Sequence, residues 1–487
     1  MRESLTTRTL KGAAWIGGAS VAGLVLRVIS VAVLARLLTP HEYGVFAAAL
    51  IAMDFATMIY GMGLAPTLVQ RKEVRSDHVA TAFFSAIVMA VLAGVGIWYA
   101  APLIAEVLQV PELTQILKVL AWLTPLGAFS VLSEALLARH MLVKKVAVRP
   151  LFSFTISTFL VAIPMAWYGF GYWSLVAMQA ADVIVSAVTL GLAARTLLVR
   201  PSFSRRAFSE LWRLSLGFTL NQPFVYLSQN ADRFIIGRVL GTATLGIYTR
   251  ASFVATQATT LFGNIARLSV FPAMARVQDD KERLRSALLK AFSVLALLTL
   301  PVSAFCVIFS EEIVDLLLGP KWHTAVVPFA ILSGVLYFSL AWRSCATLFQ
   351  ALGHPTWVTG VLICRAGALI AGIWWAAPHG LTAICVVVAV VMALMLGIML
   401  VIVKHAIDLP LRRVARAHFQ PLVATAAASG LCLAVRALLP ELPGPALVIL
   451  TLLLLLSSSV AFVFFNQERI LGFDGALTLH RPQKGKR

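Results

Sequence analysis

The sequence predicts an all-α, polytopic membrane protein with about 14 transmembrane helices. Three observations carry that expectation. Of 487 residues, 60% are hydrophobic and 13% charged, with a mean hydropathy of +0.89. Soluble domains run nearer half apolar and a quarter charged. Apolar runs of about 20 residues, enough to cross roughly 30 Å of hydrocarbon as helix, recur from end to end. Lys and Arg gather in alternate short loops between those runs, which is how a multi-pass chain sets its orientation. No stretch is left for a sizeable soluble domain.

The first span begins near Gly12, behind the basic "MRESLTTRTLK", and ends at "RLLTPHEYG". Its apolar run is too long for the core of a cleaved signal peptide, so it reads as an uncleaved span. The second covers roughly 43–66. Spans three and four, 79–104 and 114–138, are split by the acidic "AEVLQVPE", and spans five and six, 150–168 and 171–194, by "YGFGY". Spans seven and eight, 211–239 and 243–272, flank "LGTATLG"; nine and ten, 287–309 and 324–350, flank "SEEIVDLLLGPKWH". The last four lie near 355–376, 380–403, 418–437 and 443–466.

The loops test this layout. "QRKEVRSD", "RHMLVKKVAVR", "RTLLVRPSFSRRAFSELWR", "ARVQDDKERLRSALLK", "KHAIDLPLRRVARAH" and both chain ends fall on one side and are rich in Lys and Arg. The loops of the other side hold only Lys321. The one basic-side loop without Lys or Arg is "ALGHPTW". The alternation places both termini in the cytoplasm. The formal net charge of +19 is therefore topology-setting charge beside anionic lipid. Nucleic acid is not an expected partner, because no continuous basic face is evident. The cysteines, Cys306, Cys345, Cys364, Cys385 and Cys432, all lie in apolar runs without a C-x-x-C pair. They read as small buried hydrophobes rather than metal or redox groups.

A faint internal repeat organises the spans. "ARLLTPHEYGVFAAA" (35–49) lies without gaps on "GRVLGTATLGIYTRA" (237–251), matching Arg36 with Arg238, Leu38 with Leu240, Gly44 with Gly246 and Ala49 with Ala251. Upstream, Lys11 meets Arg213. Both segments join an odd span to an even one at the outer face, six spans apart, so the halves would share one orientation. The expected organisation is an N-terminal six-helix lobe (1–200), a second six-helix lobe (201–404), and two further helices with a basic tail (405–487).

Ionisable side chains at membrane depth face a cavity or pair with one another more often than not. Arg27, Asp54 and Asp182 fall near the middle of spans one, two and six, and Asp232 and Arg233 in the outer part of span seven. Arg250 follows in span eight, Arg343 in span ten and Arg365 mid-span in eleven. Each could also be a structural ion pair or snorkel to the headgroups, the reading preferred for Arg36, Arg238, Arg267 and Glu134 close to span ends. The surplus of arginine suits an anionic ligand, phosphate in particular. The carboxylates could hold a proton or a cation and so couple transport to an ion gradient.

No catalytic constellation competes. There is no H-E-x-x-H, no G-x-x-x-x-G-K-[ST] and no G-x-S-x-G, so neither an enzyme nor a self-contained ATP-driven pump is expected, and no cofactor. Trp98, Tyr99, Trp167, Tyr168, Tyr172 and Trp173 cluster near the outer interface as an aromatic belt.

"VLARLLTPHEYGVFAAALIAMDFATMIYGMGLAPTLVQRKE", "NADRFIIGRVLGTATLGIYTRA" and "LFQALGHPTW" resemble landmarks of the Wzx-type polysaccharide flippases. These belong to the multidrug/oligosaccharidyl-lipid/polysaccharide exporter superfamily, and the resemblance is greatest to the branch serving colanic-acid-like and xanthan-like exopolysaccharides. It covers essentially the whole chain. It implies a bacterial inner-membrane protein moving undecaprenyl-pyrophosphate-linked oligosaccharide from the cytoplasmic to the periplasmic leaflet. The product would serve exopolysaccharide or O-antigen biosynthesis. It further implies alternating access between two lobes, H+ or Na+ as coupling ion, and polysaccharide polymerase and export machinery as partners. On that reading Arg27, Arg233, Arg250, Arg343 and Arg365 meet the lipid-linked anion, and Asp54, Asp182 and Asp232 couple the ion or gate by salt bridges. The family has no strict motif at these positions, so the assignment rests on depth and charge. A drug/cation antiporter of the same superfamily is the rival, expected to have a more acidic or apolar cavity. A polymerase or ligase would carry a long outer loop, whereas none here exceeds about 15 residues.

Overall fold

A peptide N–H or C=O left unpaired in hydrocarbon costs several kcal/mol, which confines spanning chain to helices or closed barrels. The described residues of this protein form helices and no strand. The computed structural model describes residues 5–453 except 62, 72, 220–221, 276–279, 353–354, 439–443, 445, 449 and 452, and side chains from 18 onward except 19–21, 143–145, 217–218, 258–275, 350–351 and 355–356.

In chain order the helices are α1 (Leu5–Leu37), α2 (Pro40–Gly61), α3 (Leu64–Gln70), α4 (Ser76–Leu108), α5 (Leu113–Ala121) and α6 (Thr124–Arg139). α7 (Val143–Thr155) runs through a π-helical segment, Ile156–Ala162, into α8 (Ile163–Trp167). Then come α9 (Tyr172–Ala194), α10 (Arg205–Thr219), α11 (Gln222–Ala275), α12 (Lys281–Ile308) and α13 (Ser310–Leu317). A short 3₁₀ turn, Pro320–Ala325, leads to α14 (Val326–Gly334), α15 (Leu336–Ala351), α16 (Pro355–Ala376), α17 (Leu381–Ile407) and α18 (Leu411–Leu438). Among the described residues, 9 helical stretches are long and apolar enough to cross a membrane, or 10 if the bent pair α5 and α6 is one span. The expected spans one, seven and eight fall on α1 and the two arms of α11, and most of span fourteen lies outside the described residues.

Several boundaries differ from the sequence expectation for identifiable reasons. Span two stops at Gly61 because Gly63 takes φ 63°, a left-handed conformation that ends the ladder and starts α3. Span four bends by 50° between α5 and α6, where Pro125 in the first turn of α6 removes a donor. The expected span seven, 211–239, maps onto the end of α10 and the first arm of α11, with 220–221 outside the described residues. The acidic outer loop is itself helical: α13 carries Glu311 and Glu312 in its first turn, where the helix dipole favours them.

The chain groups into two compact units. The first comprises Met1–Gln257, Val314–Phe329 and Thr356–Val391; the second comprises Ala258–Ile313, Ala330–Pro355 and Met392–Arg487. In the first, α4 packs against α2, α5 and α6 through a stripe of small residues that includes Ala82, Ala86, Ala90, Ala93, Ala101 and Ala105, all buried. Small residues let helices approach closely where lipid supplies no hydrophobic drive. Thr124 Oγ1 exploits that proximity to donate to Ala90 O at 2.8 Å. The opposite face of α4 exposes Val88, Val91, Leu92, Val95 and Leu103, as a lipid-facing surface requires. In the second unit α12 packs lengthwise against α18 and against α15.

α11 is a hairpin. Gly241 (φ 82°, ψ 173°) interrupts it, and Tyr248 Oη reaches Asp232 Oδ2 at 2.5 Å. In a straight helix those residues would stand about 24 Å apart. This hairpin meets the α1–α2 turn main chain to main chain. A Cβ on Gly44 would fall 1.7 Å from Thr242 O, and one on Gly246 would fall 1.9 Å from Pro40 O. In the repeat alignment Gly44 matches Gly246 and Pro40 matches Thr242. The contact is therefore reciprocal, as across a two-fold axis.

Each unit also ties its own basic loops together. In the first, Glu210 accepts from Arg71 and from Arg206 at 3.3 Å, and lies 3.0 Å from His78 Nε2. Arg75 N–H donates to His78 Nδ1, so the hydrogen-bond network assigns the ring proton to Nε2, facing Glu210. In the second, Glu282 accepts from Arg285 at 2.6 Å and Arg413 at 2.7 Å, and Asp408 accepts from Lys281 at 3.0 Å.

Two outcomes follow. Gly44→Ala is expected to destabilise by about 1–3 kcal/mol through overpacking, whereas Gly96→Ala, with nothing within 4 Å of the new Cβ, is neutral or better; thermal unfolding in detergent measures both. The hydrogen bond from His78, then that from Arg71, holds the Glu210 carboxyl down at about 2, against an ordinary 4.5. A depressed carboxyl contributes stability that is complete above 4.5 and lost as pH falls toward 2. Glu210→Gln is therefore expected to flatten the acid-side fall of the melting temperature between those limits and to leave its slope unchanged above them.

Candidate functional site

Four of the predicted charges converge in the first unit. Asp54 projects from α2, exposed, next to Asn230 and within electrostatic reach of Arg233. Arg233 and Asp232 are half-buried on the first arm of α11, and Asp232 accepts the Tyr248 hydroxyl and the Arg233 backbone N–H (2.9 Å). Tyr226 Oη donates to Ile51 O at 3.0 Å, pinning this arm to α2 one turn from Asp54. Arg250, on the second arm, lies near enough to Arg233 for the two charges to repel.

The placement of Arg250 is the least expected by sequence. Its guanidinium stacks 4.3 Å from the Tyr43 ring centre and 5.1 Å from that of Phe253, and its Nε meets no acceptor among the described residues. Stacking on aromatic faces contributes about 0.5–2 kcal/mol without neutralising the charge. Tyr43 is held in turn by Trp322, edge-on at 5.4 Å, whose indole N–H donates to Ala35 O at 2.9 Å. The site thus combines two carboxylates, an arginine whose charge acts on Asp54, and a second arginine braced by aromatic rings. A guanidinium held in this way offers its fork of donors to an anion.

The other predicted residues lie elsewhere. Arg27 is exposed on α1 with its guanidinium 5.3 Å over the Phe154 ring. Asp182 is half-buried on α9 and Arg365 half-buried on α16. Arg343 is exposed on α15, in the second unit. Of the span-end charges, Arg36 donates to Leu316 O at 3.0 Å, Glu134 pairs with Arg149 at 2.6 Å, and the Arg267 side chain lies outside the described residues. Sequence reasoning missed Tyr43, Tyr226 and Tyr248. A signal existed for Tyr248, which sits nearly as far after Gly241 as Asp232 sits before it.

Comparison with known proteins bears on this arrangement. A family model described as "Polysaccharide biosynthesis protein" matches residues 33–327. The chain is 26% identical over 333 residues to the lipopolysaccharide biosynthesis protein WzxC of Escherichia coli (strain K12), covering 66% of each chain. It is 28% identical over 300 residues to the succinoglycan biosynthesis transport protein ExoT of Rhizobium meliloti (strain 1021), covering 62% of this chain and 60% of that one. The matches thus span less than two thirds of either relative. In fold, the chain is similar to a structure titled "Lipid II flippase MurJ, inward closed conformation", with TM-score 0.75, 10% identity, and coverage of 93% of this chain and 99% of that one.

Removing the Tyr248 hydroxyl strips a buried, charge-directed hydrogen bond from Asp232. Tyr248→Phe is expected to lower stability by about 1.5–3 kcal/mol. In a double-mutant cycle with Asp232→Asn, a coupling energy below about 0.5 kcal/mol would show that the two groups do not act together.

Proposed function

Because the chain belongs to the polysaccharide biosynthesis protein family, we propose that it is a flippase. It moves an undecaprenyl-pyrophosphate-linked oligosaccharide repeat unit from the cytoplasmic to the periplasmic leaflet of a bacterial inner membrane. The observation that carries this reading is the cluster of Asp54, Asp232, Arg233 and Arg250 on α2 and the two arms of α11. The names of the relatives, for lipopolysaccharide and succinoglycan biosynthesis, and the fold shared with a lipid II flippase support it. The protein is a transporter rather than an enzyme. Both termini are cytoplasmic, the repeated lobes are 1–200 and 201–404 with 405–487 appended, and the product passes to polymerase and export machinery.

The chemistry runs through the arginines. The pyrophosphate engages Arg250, whose charge is braced but not cancelled, and then Arg233. Arg27 and Arg365, in the same unit, are further candidates for the anion's oxygens, and Arg343 is a separate candidate in the second unit. Engagement of Arg233 by the anion offsets its pull on Asp54, and the Asp54 carboxylate then holds a proton or Na+, which keeps the charge of the cluster balanced. Asp232, fixed by Tyr248, orients the arm that carries Arg233. A drug/cation antiporter would instead use the carboxylates to hold its cargo.

The test is a deletion strain lacking redundant flippases. Lipid-linked repeat units are expected to accumulate in the cytoplasmic leaflet and to be cleared by the wild-type gene. Arg250→Gln or Arg233→Gln is expected to lower export at least tenfold with normal membrane insertion. Unchanged delivery in the deletion strain would sink the flippase reading, and drug sensitivity with normal polymer would favour the antiporter.

A further inference from the structure

A second polar site lies in the second unit, in the groove between α12 and α18. A cavity of about 280 Å³ there is lined by Glu282, Ser286, Lys290, Ser293, Arg413 and Gln420. Its one carboxylate, Glu282, is already held by Arg285 and Arg413, and the Ser293 hydroxyl is spent on Ala417 O at 2.9 Å. What remains facing the cavity is a set of donors: the Lys290 ammonium, the Gln420 amide, the Ser286 hydroxyl and the unused N–H groups of Arg413. Such a set calls for an oxyanion.

Its depth narrows the choice. Lys290 stands nine residues along α12 from Lys281, about 14 Å by helical rise toward the apolar part of that helix. Beside it on α18, Phe419, Leu422 and Val423 are 68%, 55% and 53% exposed, a bare apolar surface at the same level. Donors above apolar walls match an amphiphile with a phosphate head and acyl chains. The cavity is too small for an oligosaccharide repeat unit.

We propose that this groove binds the phosphate headgroup of an anionic phospholipid of the cytoplasmic leaflet, with Lys290, Arg413 and Gln420 as its contacts. The site does not depend on the flippase reading, because binding is measured without transport.

Full-length protein in nonionic detergent is titrated with phosphatidylglycerol and with phosphatidylcholine, and bound lipid is read by native mass spectrometry. Phosphatidylglycerol is expected to bind selectively. Lys290→Gln is expected to weaken it about fivefold, the effect of one basic residue at the membrane surface. Arg416→Gln removes the same charge from an exposed position outside the cavity lining and is expected to change affinity less than twofold. Equal loss in both variants would reduce the site to unspecific surface attraction and overturn the proposal, as would unchanged binding in Lys290→Gln. Full displacement by millimolar inorganic phosphate, or one-for-one displacement by a prenyl pyrophosphate, would give the groove to another ligand and overturn it equally.

Discussion

Two helix hairpins meet main chain to main chain at Gly44 and Gly246, and this contact sets the geometry of the first unit. With carbonyl oxygens seated where a Cβ would otherwise be, α2 and α11 cannot slide or rotate past each other without opening the joint. From that fixed point the rest is measured. Tyr43 and Arg250, each within a turn of a contact glycine, are brought ring to guanidinium. About 15 Å further along α2, Asp54 comes beside Arg233, and the Tyr226 hydroxyl closes onto Ile51 O. Neither glycine touches the charged cluster, yet both decide its spacing.

The way the cluster bears its charge also follows from this packing. A formal charge buried away from water is costly in isolation. Here Arg233 acts electrostatically on Asp54, Asp232 is met by a phenol and a backbone amide, and Arg250 rests on aromatic faces. Aromatic stacking stabilises a guanidinium less than a desolvated carboxylate does, but it leaves the fork of donors unsaturated. Arg250 is thus braced without its charge being cancelled.

Much of this was legible from residue order. Hydropathy and loop charge gave the all-helical membrane class, and the gapless alignment of 35–49 on 237–251 singled out Gly44 and Gly246 before any contact was known. Asp54, Asp232, Arg233 and Arg250 were visible as charges in apolar runs. Their convergence was not, because it depends on the backbone contact and on the sharp reversal at Gly241. The helix breaks at Gly63 and Pro125 were smoothed over by apolar runs that continue through them: hydropathy registers burial in lipid but not the loss of one backbone donor or a left-handed φ. The inward-facing tyrosines were hidden for a related reason, since a Tyr in an apolar helix reads as interfacial unless its hydroxyl has a known acceptor.

The charge balance of the cluster has an electrical consequence. On the flippase reading proposed above, two arginines and two aspartates sum to a formal charge of zero, so a stroke of the empty cluster would move no net charge through the membrane field. Adding one proton would make the cluster cationic and adding an anion would make it anionic, and each unit would then exchange about 2.3 kcal/mol per 100 mV across the full field. Only the loaded forms would feel the voltage, so the membrane potential would bias the occupied stroke and leave the return of the empty form to thermal motion alone.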